Sequence, residues 1–360
     1  MARRRPRVLV LGAGGGPGNN LIHDLRMGDP ALVVLGAHAD RFALRKSAAV
    51  RSYLIWPAMH RGFLASLRRV IAREEVDLVL PTSDEHVRAL ARSQARIPSR
   101  LFLPTRASVA LCQDKYALAA RLRALGVPAP ETYSVRRLAE VGGLFRRLGS
   151  PRRVWCRART GSGSTGATVV RDAAQARWWM RYWADMRGVP VSSFILSTFL
   201  PGRDFGCQSL WLRGELVLSK AFERLAYVVG GSTPSGVSSV AALARTVDDP
   251  RLPELCRAAV RAVDGRASGL FSVDVKEDAR GRPCVTEINA GRPLAGMPLL
   301  DRAGKYNMAV MWVRLALGAP VLLGEEHDAA LGHYMVRDLD TAPGIYSCRQ
   351  LLIGVRDVRR

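Results

Sequence analysis

Residues 269–293 read GLFSVDVKEDARGRPCVTEINAGRP, two apolar runs on either side of a turn-forming segment. Val, Ile, Phe and Thr favour extended structure, whereas DARGRP favours a turn. The stretch therefore predicts a β-hairpin with strands at about 271–277 and 284–290 and a turn centred on Arg280 and Gly281.

Polar side chains face one another across this predicted hairpin. The turn position places Asp274 opposite Glu287 and Ser272 opposite Asn289, all on one face, because side chains alternate along a strand. The other face is apolar and is predicted to lie against the core: Phe271, Val273, Val275, Ile288 and Ala290.

Two carboxylates directly opposite each other repel, by up to about 1 kcal/mol. A positive group between Asp274 and Glu287 would relieve this repulsion. A hard divalent cation such as Mg²⁺ prefers carboxylate and amide oxygens and often shares its ligands with substrate phosphates. The alternative is a solvated polar face on an ordinary hairpin, and both interpretations stay open on this stretch alone.

Length and composition indicate a globular protein. A chain of 360 residues, 48% of them hydrophobic, has room for two or three domains. No apolar run approaches the roughly 20 residues that span a bilayer, and MARRRPR leads directly into the strand-like VLVLG. We therefore expect a cytoplasmic protein without a membrane partner. The six cysteines show no metal-binding spacing and predict buried, reduced thiols.

The net charge of +23 raises the question of nucleic-acid binding. Only five of the 54 basic residues are lysine, the arginines are spread along the whole chain, and no basic stripe is interleaved with aromatic residues. This distribution favours small phosphate-bearing ligands over a specific nucleic-acid partner.

The first 110 residues alternate strand-like and helix-like segments, which predicts a parallel α/β sheet. The first turn, GAGGGPG at 12–18, is similar to a dinucleotide-binding fingerprint, although Asp40 is not placed directly at the tip of the next strand. Tight packing at a strand-to-helix turn is the other interpretation.

Beyond residue 110 the pattern changes to a mixture of helices and hairpins. A strand RRVWCRA leads into the glycine-rich loop RTGSGSTG, and the Arg213-Gly214 pair predicts a hairpin turn. The remaining predictions are helices at 113–125, 172–186, 250–264 and 303–317, and a short sheet addition around 332–337.

Four features occur in a fixed order: Asp114-Lys115 at a helix start, Arg157 before the glycine-rich loop, FLPGRD after an apolar strand, and the opening hairpin. In this order they resemble the ATP-grasp superfamily, in particular its carbamoyl-phosphate-synthase-like and biotin-carboxylase-like branch. The resemblance covers residues 1 to about 320. It implies an α/β fold with a parallel-sheet pre-ATP-grasp domain at 1–110, a helix and lid subdomain at 111–198, an α+β catalytic subdomain at 199–325 and a C-terminal extension at 326–360.

The resemblance also implies an ATP site. Small side chains in the loop would let backbone N–H groups approach phosphate oxygens, although a glycine-rich loop without a ligand is the alternative. At the adenine hinge Thr198 stands where the family usually has an acid, which weakens the expected contact to the adenine amine. The implied ATP-binding residues are Lys115, Arg157, Gly161, Ser162, Gly163, Ser164, Thr165, Gly166, Thr198, Phe199, Leu200 and Asp204.

By the same resemblance Asp274, Glu287 and Asn289 hold Mg²⁺, with Mn²⁺ as an alternative ion. Arg292 is expected near the γ-phosphate or an acyl phosphate, but it stands one residue further from Asn289 than is usual. Arg224 is a candidate clamp for a substrate carboxylate, with a purely structural role as the alternative. The segment 229–238 is expected to be a loop on the substrate side.

The implied reaction is ATP- and Mg²⁺-dependent ligation of a small-molecule carboxylate to an amine, releasing ADP and phosphate. Carboxyphosphate or carbamoyl-phosphate chemistry on bicarbonate is one alternative. A non-catalytic nucleotide-binding or NAD-binding protein is another. A homodimer is expected by default for a chain of this type.

Overall fold

Three β-sheets organise the chain in the computed structural model, which describes residues 4–236, 238, 240–328, 330–338 and 344–350. The first sheet is four-stranded and parallel, with the order β3-β2-β1-β4. Its central strands are continuous apolar runs because helices cover them. The elements are β1 Arg7–Leu11, α1 Gly16–Gly28, β2 Val33–His38, α2 Arg41–Leu44, β3 Arg51–Leu54, α3 Phe63–Glu74, β4 Leu78–Leu80 and α4 Asp84–Ser93.

The second sheet is four-stranded and antiparallel, with the order β5-β8-β6-β7. Two helices connect it to the first sheet, and two more pack on it around Phe194 and Met180. The elements are α5 Arg106–Gln113, α6 Lys115–Ala124, β5 Thr132–Ser134, α7 Val141–Arg147, β6 Val154–Ala158, β7 Thr168–Val170, α8 Ala173–Arg187 and β8 Phe194–Thr198.

The third sheet has seven antiparallel strands in the order β13-β12-β9-β10-β11-β14-β15. The predicted turn at Arg213-Gly214 is confirmed, since both residues have positive φ and join β9 to β10. The elements are β9 Asp204–Leu212, β10 Glu215–Tyr227, β11 Ala241–Thr246, α9 Arg251–Val263, β12 Gly269–Glu277, β13 Pro283–Ala290, α10 Met297–Ala303, α11 Met308–Leu317, β14 His333–Val336 and β15 Gly344–Ser347.

The opening hairpin forms as predicted. Asp274 pairs with Glu287 and Ser272 with Asn289, and the predicted apolar face lies in the core. The register shifts by one residue between Asp274 and Val275, so Thr286 is the extra residue of a β-bulge. The polar face is not solvated: Ser272 and Asn289 are buried.

The glycine-rich turn at 12–18 packs tightly. A Cβ atom at Gly18 would lie 2.1 Å from the carbonyl oxygen of Gly12, so α1 can approach the turn only with glycine there. Helix α1 begins at Gly16, within the glycine-rich turn. This geometry supports the packing interpretation of the turn.

Two helical regions differ from the prediction. The helix predicted at 303–317 begins later than expected. Helix α10 ends at Ala303, and α11 begins at Met308, where the Asn307 side chain caps it by accepting from the backbone N–H of Val310. Helix α5, which precedes Asp114, was not predicted. Five cysteines are buried as expected, but Cys348 is exposed.

No helix within the described residues is long and apolar enough to cross a membrane. The sheet addition predicted at 332–337 corresponds to β14, which pairs with β11 and β15. The domain boundaries stay a prediction, and 339–343 and 351–360 of the proposed C-terminal extension lie outside the described residues.

Candidate active site

A cavity of about 480 Å³ lies where the three sheets meet. With one exception, its walls contain every residue that the sequence singled out for ATP, metal or catalysis. The exception is Gly166, whose carbonyl accepts from Trp179 Nε1 at 2.9 Å. A Cβ atom at Gly166 would lie 2.6 Å from the Phe194 ring, so this glycine allows the base of the loop to pack.

Lys115 is held at the start of α6 by its neighbour. The Asp114 side chain caps the helix by accepting from the N–H of Ala117 at 3.0 Å, and it also accepts from Arg159. Lys115 Nζ then donates to the Gly161 carbonyl at 2.7 Å and lies 3.7 Å from Glu287 Oε1. Burial lowers the pKa of Lys115, and the Glu287 carboxylate opposes that shift.

Arg157 points from β6 into the cavity and binds the opening hairpin. Its Nη1 donates to Glu287 Oε2 at 3.2 Å, and its Nη2 donates to the carbonyl of the bulge residue Thr286 at 2.7 Å. Its Nε is buried and has no hydrogen-bond partner among the described residues. One donor of this guanidinium is therefore buried and unpaired within the part of the chain that the structure describes.

The glycine-rich loop between β6 and β7 lines the same cavity. Gly161, Gly163 and Ser164 have positive φ, so the backbone turns sharply there. Thr165 Oγ1 donates to the Ser162 carbonyl at 2.8 Å, which ties the loop to itself.

The predicted adenine hinge, 198–200, lies at the end of β8. The N–H of Thr198 donates to the Glu131 carbonyl at 2.9 Å, so it is already used in the structure. The Thr198 side chain is exposed, and Arg153 stacks over the Phe199 ring at 4.5 Å. Trp155 also lines the cavity and was missed, although it stands two residues before Arg157 and so shares its face of β6.

Arg224 lies between two carboxylates. Its Nη1 donates to Asp204 Oδ1 at 2.7 Å, and its Nη2 donates to Asp274. Asp204 also accepts from Tyr227 Oη at 2.5 Å, and Lys276 Nζ lies 3.5 Å away. Sequence reasoning missed Tyr227 and Lys276, although Lys276 shares a strand face with Asp274. The clamp role predicted for Arg224 would require a substrate to share this site.

Asp274, Glu287 and Asn289 form the predicted metal end of the cavity. Asn289 Nδ2 donates to Asp274 Oδ2 at 2.9 Å. Burial raises the pKa of Asp274, and the nearby Glu287 raises it further against the effect of Arg224. Burial also acts to raise the pKa of Glu287, but Lys115 and Arg157 outweigh it and hold that pKa below its usual value.

This donor set fits Mg²⁺. Two carboxylates and an amide oxygen are hard oxygen ligands, and the repulsion between Asp274 and Glu287 is what a divalent cation would relieve. The described residues contain no cluster of three or more His, Cys, Asp or Glu side chains arranged to hold a metal by themselves. Such a set suits an ion that shares its ligands with phosphates.

Arg292 turns towards the first sheet. It donates to Asp84, the first residue of α4, and to Asn289 Oδ1. Asp84 was not predicted, and it lines the cavity together with Pro17, Thr82 and Ser83. The segment 229–238 reaches the cavity through Ser235 and Ser238, and Thr168 Oγ1 on β7 donates to the Pro234 carbonyl at 3.3 Å.

No protein-family model matches this chain. Solved structures do resemble it. An L-amino acid ligase from Bacillus licheniformis superposes with a TM-score of 0.69 at 14% identity, over 93% of this chain and 79% of the ligase. A biotin carboxylase from Campylobacter jejuni, in a β,γ-ATP complex, gives 0.71 at 14% identity, over 91% and 74% of the two chains.

The biotin carboxylase domain of a 2-oxoglutarate carboxylase from Hydrogenobacter thermophilus was solved with MgADP, ADP and bicarbonate. It gives a TM-score of 0.69 at 13% identity, over 92% of this chain and 74% of that domain. At these identities the likeness shows a shared fold, and it confirms the fold predicted from the sequence.

Proposed function

We propose that this chain, which has the ATP-grasp fold of the biotin-carboxylase-like branch, is a ligase that uses ATP to join a carboxylate to an amine. One observation carries the proposal: Lys115, Arg157 and Arg292 meet the Asp274–Glu287 pair in a single cavity bounded by a glycine-rich loop. Fixed cations around paired carboxylates suit the binding and transfer of a phosphoryl group.

ATP would lie with its phosphates under the loop at 160–166 and its base at the hinge. Arg157 lines the cavity and supplies one positive charge for the phosphates, and Lys115, which donates to Gly161 in the loop, supplies a second. The N–H of Thr198 already donates to the Glu131 carbonyl. The backbone groups of Phe199 and Leu200 would therefore form the hydrogen bonds to the adenine edge. Asp204 would accept from ribose hydroxyls.

Asp274, Glu287 and Asn289 would hold Mg²⁺, which when bound neutralises phosphate charge. The substrate carboxylate attacks the γ-phosphorus, ADP leaves, and an acyl phosphate forms. Arg292 stabilises the charge on the transferred group. The amine then attacks the acyl carbon, phosphate leaves with one oxygen of the original carboxylate, and the amine nitrogen loses a proton.

The proposed reaction transfers one oxygen atom of the substrate carboxylate to the released phosphate, which isotope labelling can detect. Purified protein is incubated with Mg²⁺, ATP, pooled amines and pooled carboxylates that carry ¹⁸O. Mass spectrometry then measures ADP, phosphate and the ligation products. We expect ADP release together with ¹⁸O in the phosphate. ADP release that requires bicarbonate alone would instead support the carboxyphosphate alternative. ATP binding without ADP release from any pool would support a non-catalytic nucleotide-binding protein.

The cellular location and the substrate-side loop are part of the same proposal. We expect it to act in the cytoplasm on small molecules. The loop 229–238 would contact the acceptor, because Ser235 and Ser238 lie in the cavity wall.

A further inference from the structure

The chain leaves β13 in a direction that brings Arg292 against the first sheet. Gly291 has a φ of +85°, and a Cβ atom there would lie 3.1 Å from Val87 Cγ1 on α4. The N–H of Gly291 donates to the Leu270 carbonyl at 2.7 Å. The positive φ favours glycine at this position, and the next residue, Arg292, then faces the start of α4.

Arg292 is oriented from two sides. Its Nε donates to Asp84 Oδ1, while its Nη2 lies 3.5 Å from Asp84 Oδ2 and donates to Asn289 Oδ1. The side chains of Arg292 and Asp84 are each only 17% exposed, so solvent screens this ion pair far less than a surface pair. Asn289 in turn donates to Asp274, so the chain of contacts reaches the metal end of the cavity.

Asp84 itself is firmly placed. It is the first residue of α4, and the Ser83 side chain caps that helix by accepting from the N–H of His86 at 3.2 Å. The Asp84 carbonyl accepts from Gln113 Nε2 at 3.0 Å, and Gln113 Oε1 accepts from Arg88 at 2.8 Å. An acidic side chain in the first turn of a helix is also favoured by the helix dipole.

We infer that Asp84 is a positioning residue for Arg292, through which the first sheet completes the catalytic centre. This inference rests on the proposed function. Gly291 brings the chain against α4 and so places Arg292 beside Asp84. Asp84 acts through Arg292 and fixes the plane of its guanidinium.

The test compares Asp84→Asn, which keeps the shape and removes the charge, with Asp84→Glu, which restores a charge. Glu85→Gln is the matched control, since Glu85 is exposed in the same helical turn. Under Asp84→Asn we expect kcat for ADP release to fall about 10- to 100-fold while KM for ATP changes less than about threefold. We expect Asp84→Glu to recover part of the loss and Glu85→Gln to resemble wild type. A kcat for Asp84→Asn within twofold of wild type overturns the inference.

A double-mutant cycle separates a positioning role from a general structural one. In an Arg292→Lys background, Asp84→Asn should reduce kcat by less than twofold further, because its effect depends on the Arg292 guanidinium. Fully additive losses overturn the inference.

The four proteins of this cycle, namely wild type, Asp84→Asn, Arg292→Lys and the double variant, are also unfolded in urea. If wild type never releases ADP, the proposed function fails, yet the coupling between Asp84 and Arg292 can still be measured in the unfolding midpoints. Absence of that coupling overturns the inference independently of turnover.

Discussion

Arg157 and Glu287 lie 130 positions apart in the chain, and Arg157 Nη1 donates to Glu287 Oε2 at 3.2 Å. This contact joins the second sheet to the third at the cavity. Arg157→Met leaves Glu287 with Lys115 as its remaining close cation, so we expect the free energy of unfolding to fall by about 1–3 kcal/mol. MgATP affinity should fall roughly 10- to 100-fold, measured by calorimetric titration.

Arg152→Met is the control for this change, because Arg152 is exposed shortly before the same strand. Its effect on unfolding should stay within about 0.5 kcal/mol. Unchanged MgATP affinity in Arg157→Met would show that this guanidinium does not contact the nucleotide.

The hinge residue Thr198 offers a gain of function. Thr198→Glu supplies an acceptor for the exocyclic amine of adenine, so we expect tighter ATP binding and little change for GTP, which lacks that amine. The expected gain for ATP is about 3- to 10-fold by competition binding, equivalent to roughly 1 kcal/mol. Thr198→Leu, which has no hydrogen-bond acceptor in its side chain, is the control. Equal gains for both nucleotides would contradict the assigned position of adenine.

Lys220 lies at the centre of a buried ion cluster outside the cavity. Its Nζ lies 3.0 Å from Asp328 Oδ2 and 3.9 Å from Asp301 Oδ1, and all three side chains are almost fully buried. Burial raises the pKa of Asp301 to about 6, although Lys220 opposes the shift. Lys220→Met leaves both carboxylates uncompensated, so we expect a loss of about 3–5 kcal/mol in chemical denaturation.

Lys305→Met provides the comparison, since Lys305 pairs with Glu325 at 2.8 Å on the surface. Exposed pairs contribute at most about 1 kcal/mol. Equal losses for the two lysine variants would refute the stabilising role of the buried cluster.

His86 makes stability depend on pH. Burial lowers its pKa from 6.5 to about 4, and its Nδ1 has no hydrogen-bond partner among the described residues. As pH falls from about 6.5 to 4, the unfolded chain binds a proton that folded His86 does not, so the folded state loses stability. His86→Leu removes this contribution, and its urea midpoint should fall less over that window than the wild-type midpoint.

The sequence predicted the parts of the site that depend on local patterns. Period-2 alternation predicted that Asp274 faces Glu287. Lys115 and Arg157 were predicted from the order of four features along the chain, through the resemblance that this order carries, and both line the cavity. The bulge at Thr286 left no signal in the alternation of the strand, and its carbonyl accepts from Arg157, 129 positions away in the chain.

Asp84 illustrates the other limit. It reads as an ordinary acidic residue in a helix's first turn, and its importance comes from Arg292, 208 positions away. Contacts between sheets depend on how the sheets pack against one another. The hydrophobic periodicity of a single segment does not predict that packing. Trp155 and Lys276 are different, because strand alternation beside Arg157 and Asp274 would have found them.

Asp274 and Glu287 are proposed to hold Mg²⁺ on bound ATP, and Glu287→Gln removes one of these two charges while it keeps the shape of the side chain. Mg²⁺-dependent ADP release and Mg²⁺-dependent thermal stabilisation by ATP are measured for wild type and Glu287→Gln with the same substrate pool. We expect wild type to show both, and the variant to lose the Mg²⁺-dependent stabilisation and at least about 100-fold in kcat. If wild type releases no ADP from any pool, and MgATP stabilises the variant as much as it stabilises wild type, the proposed role of these carboxylates is wrong.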